Sequence, residues 1–448
     1  MLNGAIMPKL ITFFVPLMLS SVLQLMFNAV DLIVVGRFAG SSSLAAVGAT
    51  TAIIHAFTNL FMGISLGTNV CCAKYFAVGD RERMSKAVHT SVVIAVIFGI
   101  LMLFAGIAFS RPILLLMDTP EEIIDKSVQY MNIYFLGMPF FMLYNFGSAV
   151  LRAVGDTKRP MVYLIIAGIV NAILNVFLVT RFNMDVAGVA IATVISQIIS
   201  CVLVVITLLR CPEGYRLCLN KLKIDKSLAG LILKIGFPCG IQSTVINISN
   251  ALLQSSVNTF GEFAMAGYTA ANNIFGFLYS GANAITQGCM SFTGQNFGAK
   301  KYARARRVLI DSLILETVLC LVLGVLSHIF GSELIGIYSD NESVIAAGLE
   351  VLALTTVPYF LCGYMDCIPG ALRGMGYSVM PMILSIVGTV GSRIIWIFGF
   401  FPSNHDIKYL FLCYPISWVV TIIMQLTCYL VIRGRISRQE KAQGSPAE

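Results

Sequence analysis

Residues Ser20–Asp31 read SSVLQLMFNAVD and lie inside an apolar run from about Leu10 to Val35. A bilayer is crossed by roughly 20 apolar residues in a helix, so the run is long enough to span. Ser20, Gln24, Asn28 and Asp31 fall at i, i+4, i+8 and i+11, which at helical periodicity is one polar stripe. Leu17, Val22, Leu23, Leu25, Phe27 and Ile33 cover the other faces and suit lipid or a packed bundle. A carboxylate near the centre of a membrane helix costs roughly 2.5–3.5 kcal/mol on insertion scales, and such groups face a cavity or a partner. The competing reading places Asp31 at the outer water interface, six residues before Arg37.

Composition points the same way. The chain has 448 residues, 57% hydrophobic and only 12% charged, too little charge to cover a soluble protein of this size. Twelve cysteines show no CxxC pair and no histidine at metal spacing, so they read as small packing residues, with no structural metal site expected. Enzyme signatures are missing: no P-loop, G-x-S-x-G or H-E-x-x-H motif occurs. Without a nucleotide-binding motif, no cofactor is expected, and transport would have to draw on an ion gradient. The N-terminal run is too long for a signal-peptide core.

Twelve apolar segments are predicted, near 10–36, 46–75, 87–110, 127–150, 160–181, 187–209, 229–258, 265–293, 307–330, 345–371, 381–401 and 408–432. With the N-terminus inside, twenty-four of the thirty Lys and Arg fall on the inner side, five on the outer, and Arg393 within a span. Basic loops are retained in the cytoplasm, so both termini are expected there, in a multi-pass protein of the cytoplasmic membrane. The net charge of +8 is thereby explained without nucleic acid.

The chain also repeats. A shift of 221 residues carries Gly67 onto Gly288, Phe76 onto Phe297, Leu151-Arg152 onto Leu372-Arg373, Gly155 onto Gly376 and Pro160-Met161 onto Pro381-Met382. A shift of 222 carries Pro16 onto Pro238 and Asn28 onto Asn250. The expected fold is therefore an all-α membrane protein of twelve transmembrane helices in two six-helix lobes, related by a pseudo-twofold axis along the membrane normal. The lobes are expected at 1–209 and 229–433, with a cytoplasmic linker at 210–228 and a polar cytoplasmic tail at 434–448.

Polar residues inside the spans mark candidate sites. Asn171 and Asn175 are one turn apart in the fifth span, and small residues precede Thr193 in the sixth. These oxygens either join Asp31 around a cation or proton, or only bond helix to helix. Asn247, Asn250, Gln254 and Asn258 recur at helical spacing in the seventh span, with Asn272, Asn273, Asn283 and Gln287 in the eighth; together with Gln24 and Asn28 they read as the lining of a substrate cavity. Asp366, in the tenth span, is a second buried-acid candidate for that cavity. Glu316 in the ninth is weaker, since only Ser312 accompanies it at helical spacing. His55, His328 and Arg393 read as packing or interface residues.

Several stretches resemble one family: Gln24–Arg37 (QLMFNAVDLIVVGR), Leu44–Gly48, Leu116–Glu122, the paired Arg-x-x-Gly-x-x-x-x-Pro turns, and Ala187–Thr193. The chain is similar over about Leu10 to Arg433 to the multidrug and toxic compound extrusion (MATE) transporters of bacteria. The resemblance implies two lobes of six helices opening as a V, and antiport of small amphipathic, often cationic compounds against sodium or protons. It implies a site in the N-terminal lobe of a first-helix Asp, an Asn and an Asp one turn apart on the fifth helix, and a sixth-helix Thr. Asp31, Asn171 and Thr193 match; Asn175 stands where many relatives carry Asp, which removes one negative charge. Members resembling the norfloxacin exporter add a seventh-helix Glu, where this chain is apolar near Ile246, and a tenth-helix Asp, which would align near Cys362, one turn from Asp366. A transient sodium ion at Asp31 is thus one expectation and a proton the other, in a monomer. A flippase for lipid-linked saccharides, as in the wider superfamily, is the alternative cargo; a non-transporting receptor or channel is the alternative class.

Overall fold

The computed structural model describes residues 1–404 and 406–442, with side chains to Arg438; the last part of the expected tail, from 443, lies outside the described residues. The chain is helical, with no strand among the described residues. Among the described residues nine helices are long and apolar enough to span by themselves. They are α1 Ile6–Ala39, α2 Ser41–Ala77, α3 Arg81–Leu116, α5 Lys158–Arg181, α6 Asp185–Arg210, α7 Lys226–Asn258, α9 Tyr302–Ile329, α11 Val379–Ser403 and α12 Ile407–Arg438. Two more spans are bent pairs: α4, made of Glu121–Leu136 and Met138–Val154, and α10, made of Glu342–Thr355 and Val357–Gly374. The twelfth segment, α8 Glu262–Gly298, has 37 residues and ample length. Its amides, hydroxyls and glycines keep it below a lipid-facing helix in apolarity, and its middle is largely buried among other helices.

The repeat is visible in the helix ends. α2 and α8 both have 37 residues and start 221 apart. α3 and α9, the two bent spans, and α5 and α11 begin at the same offset. The bends are 46° in α4 and 47° in α10, beside Pro139 and Pro358, neither of which can donate to the preceding turn. Gly155 and Gly376 close the matching turns at φ 102° and 93°, a left-handed conformation that a Cβ would strain.

The compact units divide elsewhere than at the expected linker. One comprises Val15–Gly240 and is called here the N-terminal unit; the other, the C-terminal unit, comprises Met1–Phe14 with Ile241–Glu448. Packing gives the reason. In the N-terminal unit, Gly63 of α2 meets Gly240 of α7 so closely that a Cβ on Gly63 would lie 2.2 Å from the Gly240 nitrogen. Gly67 and Gly236 approach their neighbours across the same seam, at four-residue spacing. The first half of α7 is thus locked onto α2. The 210–228 segment is fastened to the same unit: the Cys218 N–H donates to His89 Nε2 and the Asp225 N–H to Thr90 Oγ1, both at 3.0 Å. In the C-terminal unit the start of α1 is held likewise, Phe13 standing edge-on to Phe292 of α8 at 5.5 Å.

Phe135, Phe146, Met131 and Met138 fill the core of the N-terminal unit; Tyr268, Phe411 and Trp418 fill that of the C-terminal unit. Large apolar side chains such as Leu101, Phe104 and Ile173 are left exposed, as suits a surface solvated by acyl chains. Ten of the twelve cysteines are buried, and none is bonded to another.

Candidate functional site

The N-terminal unit gathers four of the predicted residues. Phe27 of α1 lies against Gly168 of α5, where a Cβ would stand 1.9 Å from its ring. That close approach brings the next turn of α1, with Asp31, to the level of Asn175. The Asn175 amide donates to Asp31 Oδ1 and to Asn171 Oδ1, the latter at 3.2 Å. Asn171 Nδ2 in turn donates to Thr193 Oγ1 of α6 at 3.4 Å, and the Thr193 hydroxyl donates to the Val189 carbonyl at 3.0 Å. Asn171 is 5% and Asn175 0% exposed, while Asp31 is half-buried.

The direction of these bonds matters. Both hydrogens of the Asn175 amide are used, and its Oδ1 is buried without a partner. An orphaned acceptor inside a bundle is costly. Here it stands beside a carboxylate, so the network offers acceptors to a cation or an acidic proton. Tyr130 and Tyr134 of α4 lie within electrostatic range of Asp31; nothing in their apolar stretch marked them in the sequence. At one end of the unit, Lys126 of α4 pairs with Asp185 of α6 at 2.8 Å and donates to Ser43 of α2 at 2.9 Å.

Of the predicted cavity residues in the N-terminal unit, Gln24 and Asn28 make no hydrogen bond with this network. Gln24, Asn28 and Asn247 are exposed. Gln254 donates to Asn258 at 3.0 Å. Asn250 accepts from Arg393 Nη1 at 2.7 Å, so its side-chain oxygen is engaged by a buried guanidinium. Arg393 also donates through Nε to Ser417 Oγ at 3.4 Å and lies 4.8 Å over the Tyr414 ring. Asp366 is half-buried and faces Tyr279 of α8 and Arg373 of its own helix. A separate cavity of about 380 Å³ lies where the turn between α2 and α3 meets the 212–215 segment, lined by Tyr75, Phe76, Glu213 and Tyr215 among others. It contains none of the predicted site residues. Among the described residues no three His, Cys, Asp or Glu side chains come together as a metal site.

The family model for MatE matches residues 16–177 and again 238–398. This chain belongs to the MatE family. The double match reproduces the internal repeat, and the chain is a MATE family transporter. It is 28% identical to the probable multidrug resistance protein YoeA of Bacillus subtilis, over 92% of this chain and 91% of that one. The multidrug export protein MepA of Staphylococcus saprophyticus is 23% identical, with 86% of each chain covered. Among solved structures, a MATE crystal structure in complex with MaL6 superposes with a TM-score of 0.89, covering 98% of both chains at 20% identity. A MOP superfamily transporter from Pyrococcus furiosus, described as having a binding pocket of reverse polarity, gives 0.88 over 97% of each chain at 19% identity. The two structures share the fold of this MATE chain.

Proposed function

We propose that this transporter exports small amphipathic, cationic compounds from the cytoplasm in exchange for sodium ions or protons, with Asp31 as the coupling carboxylate. The observation that carries the reading is that Asn175 donates to Asp31 on one side and to Asn171, which donates on to Thr193, on the other, with the Asn175 carbonyl oxygen left over. A bound cation would take that oxygen and the carboxylate together; a proton would neutralise the carboxylate alone. Either ligand favours whichever state holds it more tightly, and a transporter can alternate between inward- and outward-open states only through such a difference in affinity. The multidrug relatives support the choice of cargo, and the amides Gln24, Asn28, Asn247 and Gln254, with Asp366, are the residues assigned to substrate. Both termini are assigned to the cytoplasmic side of the membrane on the distribution of Lys and Arg.

The test is ethidium efflux in everted vesicles, with sodium and proton gradients imposed separately. Efflux should respond to at least one gradient, and Asp31→Asn, at normal expression, should abolish that response. Undiminished ion-driven efflux in the variant would remove Asp31 from the mechanism.

A further inference from the structure

Glu316 sits in the middle of α9 and is 0% exposed. The Cys320 thiol, one turn along, donates to Oε2 at 3.6 Å, and Oε1 is buried with no partner at all. Across from it α10 presents Gly363. A Cβ at that position would stand 2.5 Å from Glu316 Oε2, so the glycine leaves the room that the carboxyl group occupies. The ionisable groups facing Glu316 are Cys320 on its own helix, Cys289 from α8, and Cys362, Asp366 and Cys367 from α10. None of them is a cation. The arginines of α9 lie at its start, with Arg307 paired to Asp311 at 2.8 Å, and His328 lies in its last turn.

An ionised carboxylate here would be buried without a counter-ion and with Asp366 as a like-charged neighbour, which is the most heavily penalised arrangement of all. A sodium ion would not remedy it. Hard cations require a shell of oxygens, and beyond the Asp366 carboxylate and the Ser312 hydroxyl, which is bonded to the Val308 carbonyl, the groups around Glu316 are thiols and a glycine. A proton needs no shell. Oε2 already accepts from Cys320, which leaves Oε1 to carry it.

We propose that Glu316 is a proton-binding site of the C-terminal unit, separate from Asp31, protonated in the conformation described and exchanging its proton with water during the transport cycle. The step is the transfer of one H⁺ from hydronium to a carboxylate oxygen: one O–H bond forms on Glu316 as one breaks on the hydronium, which leaves as water. Protonation of Glu316 stands independently of the Asp31 reading; its turnover during transport rests on that reading.

The experiment is infrared spectroscopy of the purified full-length protein in lipid nanodiscs at neutral pH. Wild type should show the C=O stretch of a protonated, unhydrated carboxyl group. Glu316→Gln keeps the shape of the neutral acid and should lose that band, while Asp31→Asn and Asp366→Asn keep it. If the difference between wild type and Glu316→Gln shows an ionised carboxylate, the proposal is overturned. So is it if saturating sodium at constant pH erases the band. The wild-type measurements with and without sodium need no variant and so stand even if a substitution impairs folding. In proteoliposomes Glu316→Gln should move one proton fewer per ethidium than wild type; an unchanged ratio removes the turnover. Failure of the antiport reading would appear separately, as efflux that Asp31→Asn leaves intact.

Discussion

The two units treat one place in the repeat in opposite ways. In the N-terminal unit, α1, α5 and α6 bring together Asp31, Asn171, Asn175 and Thr193. In the C-terminal unit the corresponding helices are α7, α11 and α12. There Asn250 is the repeat partner of Asn28, Arg393 follows the partner of Asn171, and Tyr414 is the partner of Thr193. These residues also meet, but around a guanidinium bonded to Asn250 and Ser417 and lying over Tyr414. α11 accommodates it between two π-helical turns, Ile386–Gly391 and Trp396–Phe400, a local widening found often at functional sites. One unit therefore gathers a carboxylate and an amide oxygen left without a partner. The other holds a cation that is covalently attached and, being an arginine, always charged. The difference teaches that a duplicated scaffold need not carry a duplicated function.

The sharpest way to break this contrast is to neutralise each charge in turn. Asp31→Asn should reduce ion-driven ethidium efflux to the level of empty vesicles. Arg393→Gln should leave the ion dependence in place, whatever it does to the maximal rate. Equal loss of ion dependence in both would show the two places to be coupled, contrary to the contrast. A smaller effect is expected from Asn175→Asp, which adds a second carboxylate beside Asp31. Added attraction on the order of 1–2 kcal/mol should lower the sodium concentration for half-maximal efflux by roughly tenfold, read directly from a sodium titration.

On the other side of the comparison, Asn250→Leu removes the acceptor of a buried charged donor. It should lower stability by about 2 kcal/mol, measured as denaturant unfolding in detergent, with the ion dependence of efflux unchanged. The smallest change should come from Lys126→Ala. Its partners Asp185 and Ser43 are linked through a half-exposed pair, and such pairs contribute less than about 1 kcal/mol.

Much of the N-terminal site was legible because its members share helix faces. Asn171 and Asn175 are one turn apart, and Asp31 ends a polar stripe, so local periodicity and the family resemblance named the same residues. The apolar runs likewise gave the spans, although the helices reach past them into polar ends capped by residues such as Asp80, Asn341 and Asp406. What could not be read depends on contacts across space. Glu316 looked isolated because its surroundings come from Gly363 and the α10 cysteines, some fifty residues further along. Asn250 looked like a cavity amide because Arg393, which claims it, lies 143 residues away. The seam between α2 and α7 was illegible for the same reason: the glycines at 63, 67, 236 and 240 acquire meaning only when the two helices are set side by side.

The division into compact units has a consequence for how such a chain can be taken apart. Each compact unit includes the opening stretch of a helix whose remainder belongs to the other, α1 in one case and α7 in the other. Scissors applied at the 210–228 segment would yield two fragments, each missing the arm that completes its own fold and bearing the arm its sibling lacks. This is the arrangement expected when two copies of a six-span ancestor, already trading their leading arms as a dimer, become fused into one gene.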